Sequence, residues 1–163
     1  MKQFNKIAEF GKKLMSMDDM HHSIVLIADE AKELVGAGRC SIFIVDNDDE
    51  MLWSTLSDGL GKIVVALDAG IVGATYKNKI AQVVNTPYED ERFLPSIDKK
   101  SGYITKNMIT IPIFDSKREV MGVIQLLNKE TDFNEEDLET LTFFANYVSG
   151  SLELALIKQM QEL

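Results

Sequence analysis

The sequence predicts an α+β domain built on one antiparallel sheet, with helices packed on one face and a lid of loops and short helices over the other. Three observations predict this fold. Apolar residues recur at helical spacing near both ends of the chain, strand-like apolar runs lie between them, and the helices and strands are segregated rather than strictly alternating. The chain has 163 residues, of which 45% are hydrophobic, enough to bury one core without disulfide bonds.

Two helices are predicted first. Apolar residues from Phe4 to Leu14 recur every three or four positions, which indicates an amphipathic helix that ends near Ser16. Asp18 stands where the N-cap of the next helix belongs, because its carboxylate can accept hydrogen bonds from the free amides of the following turn. Gly36 is expected to end that second helix, since glycine adopts the left-handed conformation of a helix terminus without strain.

Strands are predicted between the terminal helices. The first, around Ile42, is apolar on both sides and is therefore expected in the centre of the sheet. Short turns, such as the acidic run 46–49, join the first three strands into an antiparallel meander. The predicted strands cover 40–45, 51–56, 62–67, 81–84, 107–114 and 120–129.

The remaining elements are a mixed insert and a long C-terminal helix. Residues 70–77 predict a short helix opened by glycine, and the polar stretch 87–101 predicts a loop with one helical turn. A polar stretch of this length inside a compact domain is often functional, so we interpret it as a lid. Asn134 is expected to cap the final helix, whose apolar stripe from Leu138 to Leu163 fits either a parallel dimer seam or packing against the domain's own sheet.

Composition excludes several classes of partner. The net charge is −9 and there is no long basic cluster, which argues against nucleic acid, because phosphate binding relies on a basic face. No apolar run approaches the roughly 20 residues of a membrane-spanning helix, so no membrane contact is expected. Cys40 is the single cysteine, which rules out an intrachain disulfide and fits a cytoplasmic protein.

The sequence predicts no catalytic residue, metal site or cofactor. Cys40 has apolar neighbours on a strand, which is typical of a small buried residue rather than of an activated thiolate. His21 and His22 are adjacent on a helix and point about 100° apart, so they cannot jointly hold a metal. The acidic run 46–50 lacks the alternating ligands and the glycine of a calcium loop.

Two features suggest a ligand. Gly70 opens a helix whose first amides, at Ile71 and Val72, would form a natural anion site, although glycine also starts helices for steric reasons alone. Gln125 lies between Val123 and Leu127 on an apolar strand, where an unpaired amide would cost about 1–3 kcal/mol. Its partner can equally be a structural hydrogen bond or a ligand.

A distinctive set of segments occurs in this order along the chain: 39–43, 58–59, 70–73, 107–109, 112–113 and 123–129, followed by Phe133 and Asp137. Together they resemble a GAF domain, most closely those of cyclic-nucleotide phosphodiesterases and adenylyl cyclases. The most specific element is a signature that reads here Asn128-Lys129, Phe133 and Asp137, with Leu138 in place of its final glutamate. The resemblance implies a single GAF domain over 1–163, with a core from about 18 to 155 and flanking signalling or dimerisation helices at 1–16 and 150–163.

The signature also has a physical interpretation. Lys129 leaves the last strand and Asp137 lies in the first turn of the last helix, so an ion pair between them would fix the helix to the sheet edge while Phe133 fills the corner. We therefore interpret the signature as structural, and the resemblance implies that it supports a pocket.

The resemblance also implies a ligand site. Ser41 and Asp58 would lie beside a purine base, and the amides of Ile71 and Val72 would receive a cyclic phosphate. Three positions depart from the family pattern: Ser57 replaces an aromatic residue that stacks on the base, Val72 replaces alanine, and Gln125 replaces glutamate. The implied ligand-binding residues are Ser41, Asp58, Ile71, Val72, Ser101, Thr105 and Gln125.

The function implied by this resemblance is regulatory. The domain would bind a small molecule, such as cyclic AMP or cyclic GMP, and signal as a homodimer through its terminal helices. The alternative is a dimerisation scaffold without a ligand. A third hypothesis, reduction of free methionine sulfoxide, is disfavoured because such GAF enzymes use several thiols and this chain has only Cys40.

Overall fold

The computed structural model describes residues 2–17, 19–54 and 63–161, and these residues form one sheet of six strands. The strands are β1 (Ala37–Asp46), β2 (Met51–Ser54), β3 (Ile63–Ala66), β4 (Gln82–Val84), β5 (Met108–Phe114) and β6 (Val120–Lys129). Their order across the sheet is β3-β2-β1-β6-β5-β4, and each neighbouring pair is antiparallel. The predicted antiparallel α+β fold is confirmed.

The helices of the described ranges flank this sheet. They are α1 (Lys2–Met15), α2 (Met20–Val35), α3 (Gly70–Asn78), α4 (Pro95–Ser101) and α5 (Glu135–Gln161), with a 3₁₀ turn at Pro87–Glu89. The N-cap of α2 is Asp19, whose carboxylate accepts from the amide of His22 at 2.8 Å. The predicted cap at Asp18 is therefore off by one residue, and Asp18 itself lies outside the described residues.

The two faces of the sheet have different covers. Side chains alternate along a strand, so Cys40 and Ile42 of β1 pack against α1, α2 and α5 in the main core. Phe43 points to the opposite face, where it packs with Val72 of α3 in a smaller cluster. The helix-covered face holds the core, and the other face carries α3, the 3₁₀ turn and α4.

The first part of the α5 stripe is buried within the domain. Leu141, Ala145, Val148 and Leu152 are all at most 1% exposed in the main core. Of the two interpretations left open by the sequence, packing within the domain is therefore the one observed for this part of the stripe. Asn134 caps the helix as predicted, since its side chain accepts from the Asp137 amide at 2.9 Å.

The insert between β3 and β5 is more ordered than its sequence suggested. The polar stretch predicted as a loop with one helical turn contains the 3₁₀ turn and the seven-residue helix α4. These short elements lie over the sheet face that the terminal helices leave uncovered. None of the helices in the described ranges has the length and apolar character needed to cross a membrane.

Candidate functional site

A cavity lies between the sheet and the insert. Its floor is formed by side chains of β1, β3, β5 and β6 that face the insert, and its walls by the start of α3, by α4 and by the segment that leads into β5. Five of the seven residues predicted as ligand-binding line it: Ser41, Ile71, Val72, Thr105 and Gln125. The structure brings these residues together, while their role as ligand contacts remains a prediction.

The other two predicted residues cannot be placed as fully. Asp58 lies outside the described residues. Ser101 is the last residue of α4, and only its backbone is described.

The start of α3 presents unpaired backbone amides to the cavity. Gly70 has a φ of +69°, and a Cβ there would lie 3.1 Å from Leu94, so glycine suits this position for two reasons. Intrahelical bonding begins with the amide of Gly73, which donates to the Ala69 carbonyl at 2.9 Å. Within the described residues, the amides of Ile71 and Val72 have no hydrogen-bond partner. Unpaired N–H groups at the positive end of a helix dipole favour an anion.

The floor of the cavity carries two polar side chains. Ser41 and Gln125 are paired across β1 and β6, so they lie side by side on the same face. Ser41 is buried and Gln125 half-buried, and neither side chain has a hydrogen-bond partner in the part of the chain that the structure describes. The sequence left two partners open for the Gln125 amide, a structural hydrogen bond or a ligand. No structural hydrogen bond to this side chain is present among the described residues.

The lid is held together by a buried carboxylate. Asp98 of α4 accepts from both the amide and the hydroxyl of Thr105, at 2.9 and 3.0 Å, and also from the hydroxyl of Tyr88. The hydrogen bond to Asp98 raises the pKa of Tyr88, because the neutral phenol donates and the phenolate cannot. The Thr105 hydroxyl already donates its proton to Asp98, so it can only accept a hydrogen bond from a ligand.

Arg39 is a cavity residue that the sequence analysis did not single out as part of the site. It lies two residues before Ser41 on β1, hence on the same face, and its guanidinium carbon is 3.6 Å from the centre of the Tyr103 ring. Its Nη1 atom is buried and contacts no hydrogen-bond acceptor in the described chain. The alternation of side chains along β1 could have identified Arg39. Asp98 and Tyr103 lie in a segment whose apolar residues follow no regular period.

The signature residues join the sheet to α5 as predicted from their positions. Lys129 donates to both carboxylate oxygens of Asp137, at 2.9 and 2.7 Å, and the two side chains are only 18% and 8% exposed. Phe133 is buried in the main core. Breaking a buried pair of this kind typically costs about 3–5 kcal/mol, because it leaves one charge uncompensated.

Asparagines connect the lid to the same junction. Asn128 accepts from the amide of Lys106 at 2.6 Å and donates to the carbonyl of Ile104 at 2.8 Å. Asn107 donates to the carbonyl of Lys129 at 3.0 Å and accepts from its amide at 2.9 Å. The segment that ends the lid is therefore bonded to the residues that lead into α5.

The cavity is small with the lid in this position. Its volume is about 60 Å³, whereas small-molecule sites usually measure roughly 300–1,000 Å³. A ligand as large as a nucleotide therefore requires the lid to move outward. In the described ranges, no three histidine, cysteine or carboxylate side chains cluster in a way that could hold a metal ion.

Comparison with known proteins identifies the family. The model of the GAF domain matches residues 19–152. A Caenorhabditis elegans protein named "Probable 3',5'-cyclic phosphodiesterase pde-5" is 29% identical over 157 residues, and a Takifugu rubripes protein named "Dual 3',5'-cyclic-AMP and -GMP phosphodiesterase 11A" is 33% identical over 129 residues. These matches cover 87% and 68% of this chain but only 21% and 14% of the two relatives.

Solved structures support the same fold. The GAF domain of a phosphoenolpyruvate-protein phosphotransferase from Acinetobacter superposes with a TM-score of 0.83, at 21% identity over 98% of both chains. The free methionine-R-sulfoxide reductase of Neisseria meningitidis superposes with a TM-score of 0.79, at 17% identity over 93% of this chain and 89% of that one. At these identities the likeness concerns the fold alone.

Proposed function

This chain belongs to the GAF domain family, and we propose that it is a regulatory domain that senses a small anionic ligand, namely a cyclic nucleotide. The observation that carries the proposal is the pair of unpaired amides at Ile71 and Val72, at the start of a helix that lines a cavity. Two amides and a helix dipole suit a singly charged phosphate diester.

The rest of the cavity suits the remainder of such a ligand. Its walls are mainly apolar, with polar groups at Ser41 and Gln125 that have no partner among the described residues. A flat purine would bury its faces against apolar walls and use its edge to satisfy these groups. The names of the two phosphodiesterase relatives refer to 3',5'-cyclic compounds.

Signalling would begin with the lid. Because the cavity is smaller than a nucleotide, binding would shift the lid, and the lid is bonded through Asn107 and Asn128 to the end of β6. The pair Lys129–Asp137 continues from there to the first turn of α5. We therefore propose that ligand binding changes the position of α5, which together with α1 would form a homodimer interface.

The proposed role is not catalytic. The single cysteine, Cys40, lies in the main core beneath the sheet, whereas the cavity is on the other face. A thiol-dependent reduction in the cavity would therefore have no thiol from this chain. A cytoplasmic location is part of the proposal, since a lone buried thiol fits a reducing compartment.

Calorimetric titration with cyclic AMP and cyclic GMP tests the proposal. We expect at least one of them to bind, with 5'-AMP and 5'-GMP as ligand controls. Replacing Gln125 with leucine removes a polar contact from the floor and should weaken binding about 5- to 100-fold. The matched variant Gln159→Leu, on the exposed end of α5, should bind like the wild type. The proposal would be contradicted if neither nucleotide, at millimolar concentration, gave a heat of binding or changed the melting temperature.

The second candidate function is a dimerisation scaffold without a ligand. The observation that favours it is the small volume of the cavity, about 60 Å³. A scaffold would show an unchanged melting temperature across a panel of metabolites, because only a ligand that binds the folded state stabilises it. The same titrations therefore distinguish the two candidates.

A further inference from the structure

Arg39 is an unsatisfied cation at the cavity. A guanidinium remains protonated at every physiological pH and can only donate hydrogen bonds. Its planar group is stacked on Tyr103 and its buried Nη1 has no acceptor within the described ranges. A buried donor without an acceptor is costly, and more so when it is charged. The arrangement is therefore suited to an acceptor atom supplied from outside the chain.

The position of Arg39 indicates which part of the ligand it meets. This step rests on the proposed function, in which the amides of Ile71 and Val72 receive the phosphate. Arg39 lies instead on the floor of the cavity, on the same face of β1 as Ser41, and the neighbouring strand contributes Gln125 opposite Ser41. The three side chains therefore face the remainder of the ligand, which in a cyclic nucleotide is the base.

We infer that Arg39 binds the carbonyl edge of a purine base, so that the domain selects cyclic GMP over cyclic AMP. Guanine presents two adjacent acceptors, O6 and N7, which match the donor fork of arginine. Adenine presents a donor at N6 in place of O6, so the same contact would set donor against donor. The stack on Tyr103 holds the guanidinium plane in place before the ligand arrives.

Titrations of the wild type and of Arg39 variants with three nucleotides test this inference. Cyclic IMP keeps O6 and N7 but lacks the amino group of guanine, so it isolates the carbonyl edge. We expect cyclic GMP and cyclic IMP to bind about 5- to 150-fold more tightly than cyclic AMP, the range of one bidentate arginine contact. In Arg39→Gln the preference should disappear or reverse, because a glutamine amide pairs with N6 and N7 of adenine and cannot offer the arginine fork to guanine.

Two further variants make the result specific. Arg39→Met removes every donor but keeps an apolar stem, so it should also lose the preference for cyclic GMP, and it provides the same affinity ratio if the glutamine variant does not fold. Arg118→Gln removes the same charge from the turn between β5 and β6, where Arg118 is exposed and outside the cavity. That variant should keep the wild-type ratio between the affinities for cyclic GMP and cyclic AMP.

Each other outcome overturns the inference in a distinct way. Equal wild-type affinity for cyclic AMP and cyclic GMP contradicts the base preference but leaves the sensing function intact. A uniform loss for all three nucleotides in Arg39→Gln would show that Arg39 meets the phosphate or ribose instead. Absence of binding by every nucleotide would remove the proposed function together with this inference.

Discussion

Polar residues around the cavity fall into two groups. Thr105, Asp98 and Tyr88 satisfy one another within the lid, so their hydrogen bonds maintain its shape. The amides at the start of α3 and the guanidinium of Arg39 have no acceptor among the described residues. Buried polar groups in proteins are nearly always hydrogen-bonded, so the second group is where a ligand is expected.

The Tyr88–Asp98 hydrogen bond makes a prediction about pH. The bond raises the pKa of Tyr88 above the ordinary value of about 10. The folded state therefore holds this proton longer than the unfolded state does, so the stability that the bond contributes is present below about pH 10 and is lost as pH rises through the folded pKa. In an absorbance titration of tyrosinate, one of the four tyrosines should ionise late.

Variants assign the late tyrosine. Tyr88→Phe should remove the late component, whereas Tyr147→Phe, which alters an exposed tyrosine of α5, should leave it in place. Late ionisation that persists in Tyr88→Phe would contradict the assignment.

At this scale the sequence identified some residues and missed others for a physical reason. Gln125 was identified as a polar residue between apolar neighbours on a strand, and Ser41 was implied by the resemblance to GAF domains. Strand alternation shows which other side chains share the face of Ser41. Arg39 obeys the same rule and could have been added. Asp98 and Tyr103 depend on contacts between segments that no local pattern encodes, so they became visible only in the structure.

At the scale of elements, the start of α3 depends on a close approach to the turn before it. A Cβ on Gly73 would lie 2.6 Å from the backbone of Asp68 and 2.9 Å from the carbonyl oxygen of Leu67. Backbone atoms cannot give way as a flexible side chain can. Gly73 therefore sets the position of the helix whose first amides line the cavity.

Gly73→Ala should accordingly displace α3 and destabilise the fold by about 1–3 kcal/mol, the usual cost of overpacking. Nucleotide affinity should fall with it. The matched variant is Gly150→Ala in α5, where an added Cβ meets nothing within 4 Å. Alanine favours a helix over glycine, so this variant should gain about 0.5–1 kcal/mol. Chemical denaturation at low protein concentration measures the free energy of unfolding of both variants. Equal changes in the two variants would contradict the close-packing argument.

The elements differ in how well the sequence predicted them. The central strands β1, β5 and β6 have long apolar runs and were predicted within three residues of their observed ends. Helix α4 was predicted only as a single turn, because its seven residues are mostly polar and carry no helical period. Its position depends on the hydrogen bonds of Asp98 to Tyr88 and Thr105, which are tertiary interactions.

At the scale of the molecule, the two faces of the sheet have separate tasks. One face holds the main core with α1, α2 and α5, and the other faces the cavity and lid. Stability is therefore concentrated away from the proposed binding site, which leaves the lid able to move without opening the core. The link between the two sides runs through the end of β6 into α5.

Helix α5 carries a second apolar stripe on the face opposite to its buried one. Phe143, Tyr147, Leu154 and Ile157 follow heptad spacing, with Gly150 completing the pattern. The rings of Phe4 and Phe143 are 4.7 Å apart, so α1 covers part of this stripe. Towards the C-terminus Leu154 and Ile157 remain 59% and 45% exposed. This exposed stripe, rather than the buried one, is the part of α5 available to a second copy of the chain.

We therefore predict a homodimer that forms through this stripe. Leu154→Lys and Ile157→Lys place charges where two copies would bury apolar side chains, so both should shift the protein to a monomer in sedimentation velocity. Gln159→Lys adds the same charge to another face of the helix and should remain dimeric. Because the cavity lies on the far side of the sheet, the monomeric variants should still bind nucleotide. A wild type that is monomeric at every concentration, or lysine variants that still dimerise, would show that α5 transmits its signal by another contact.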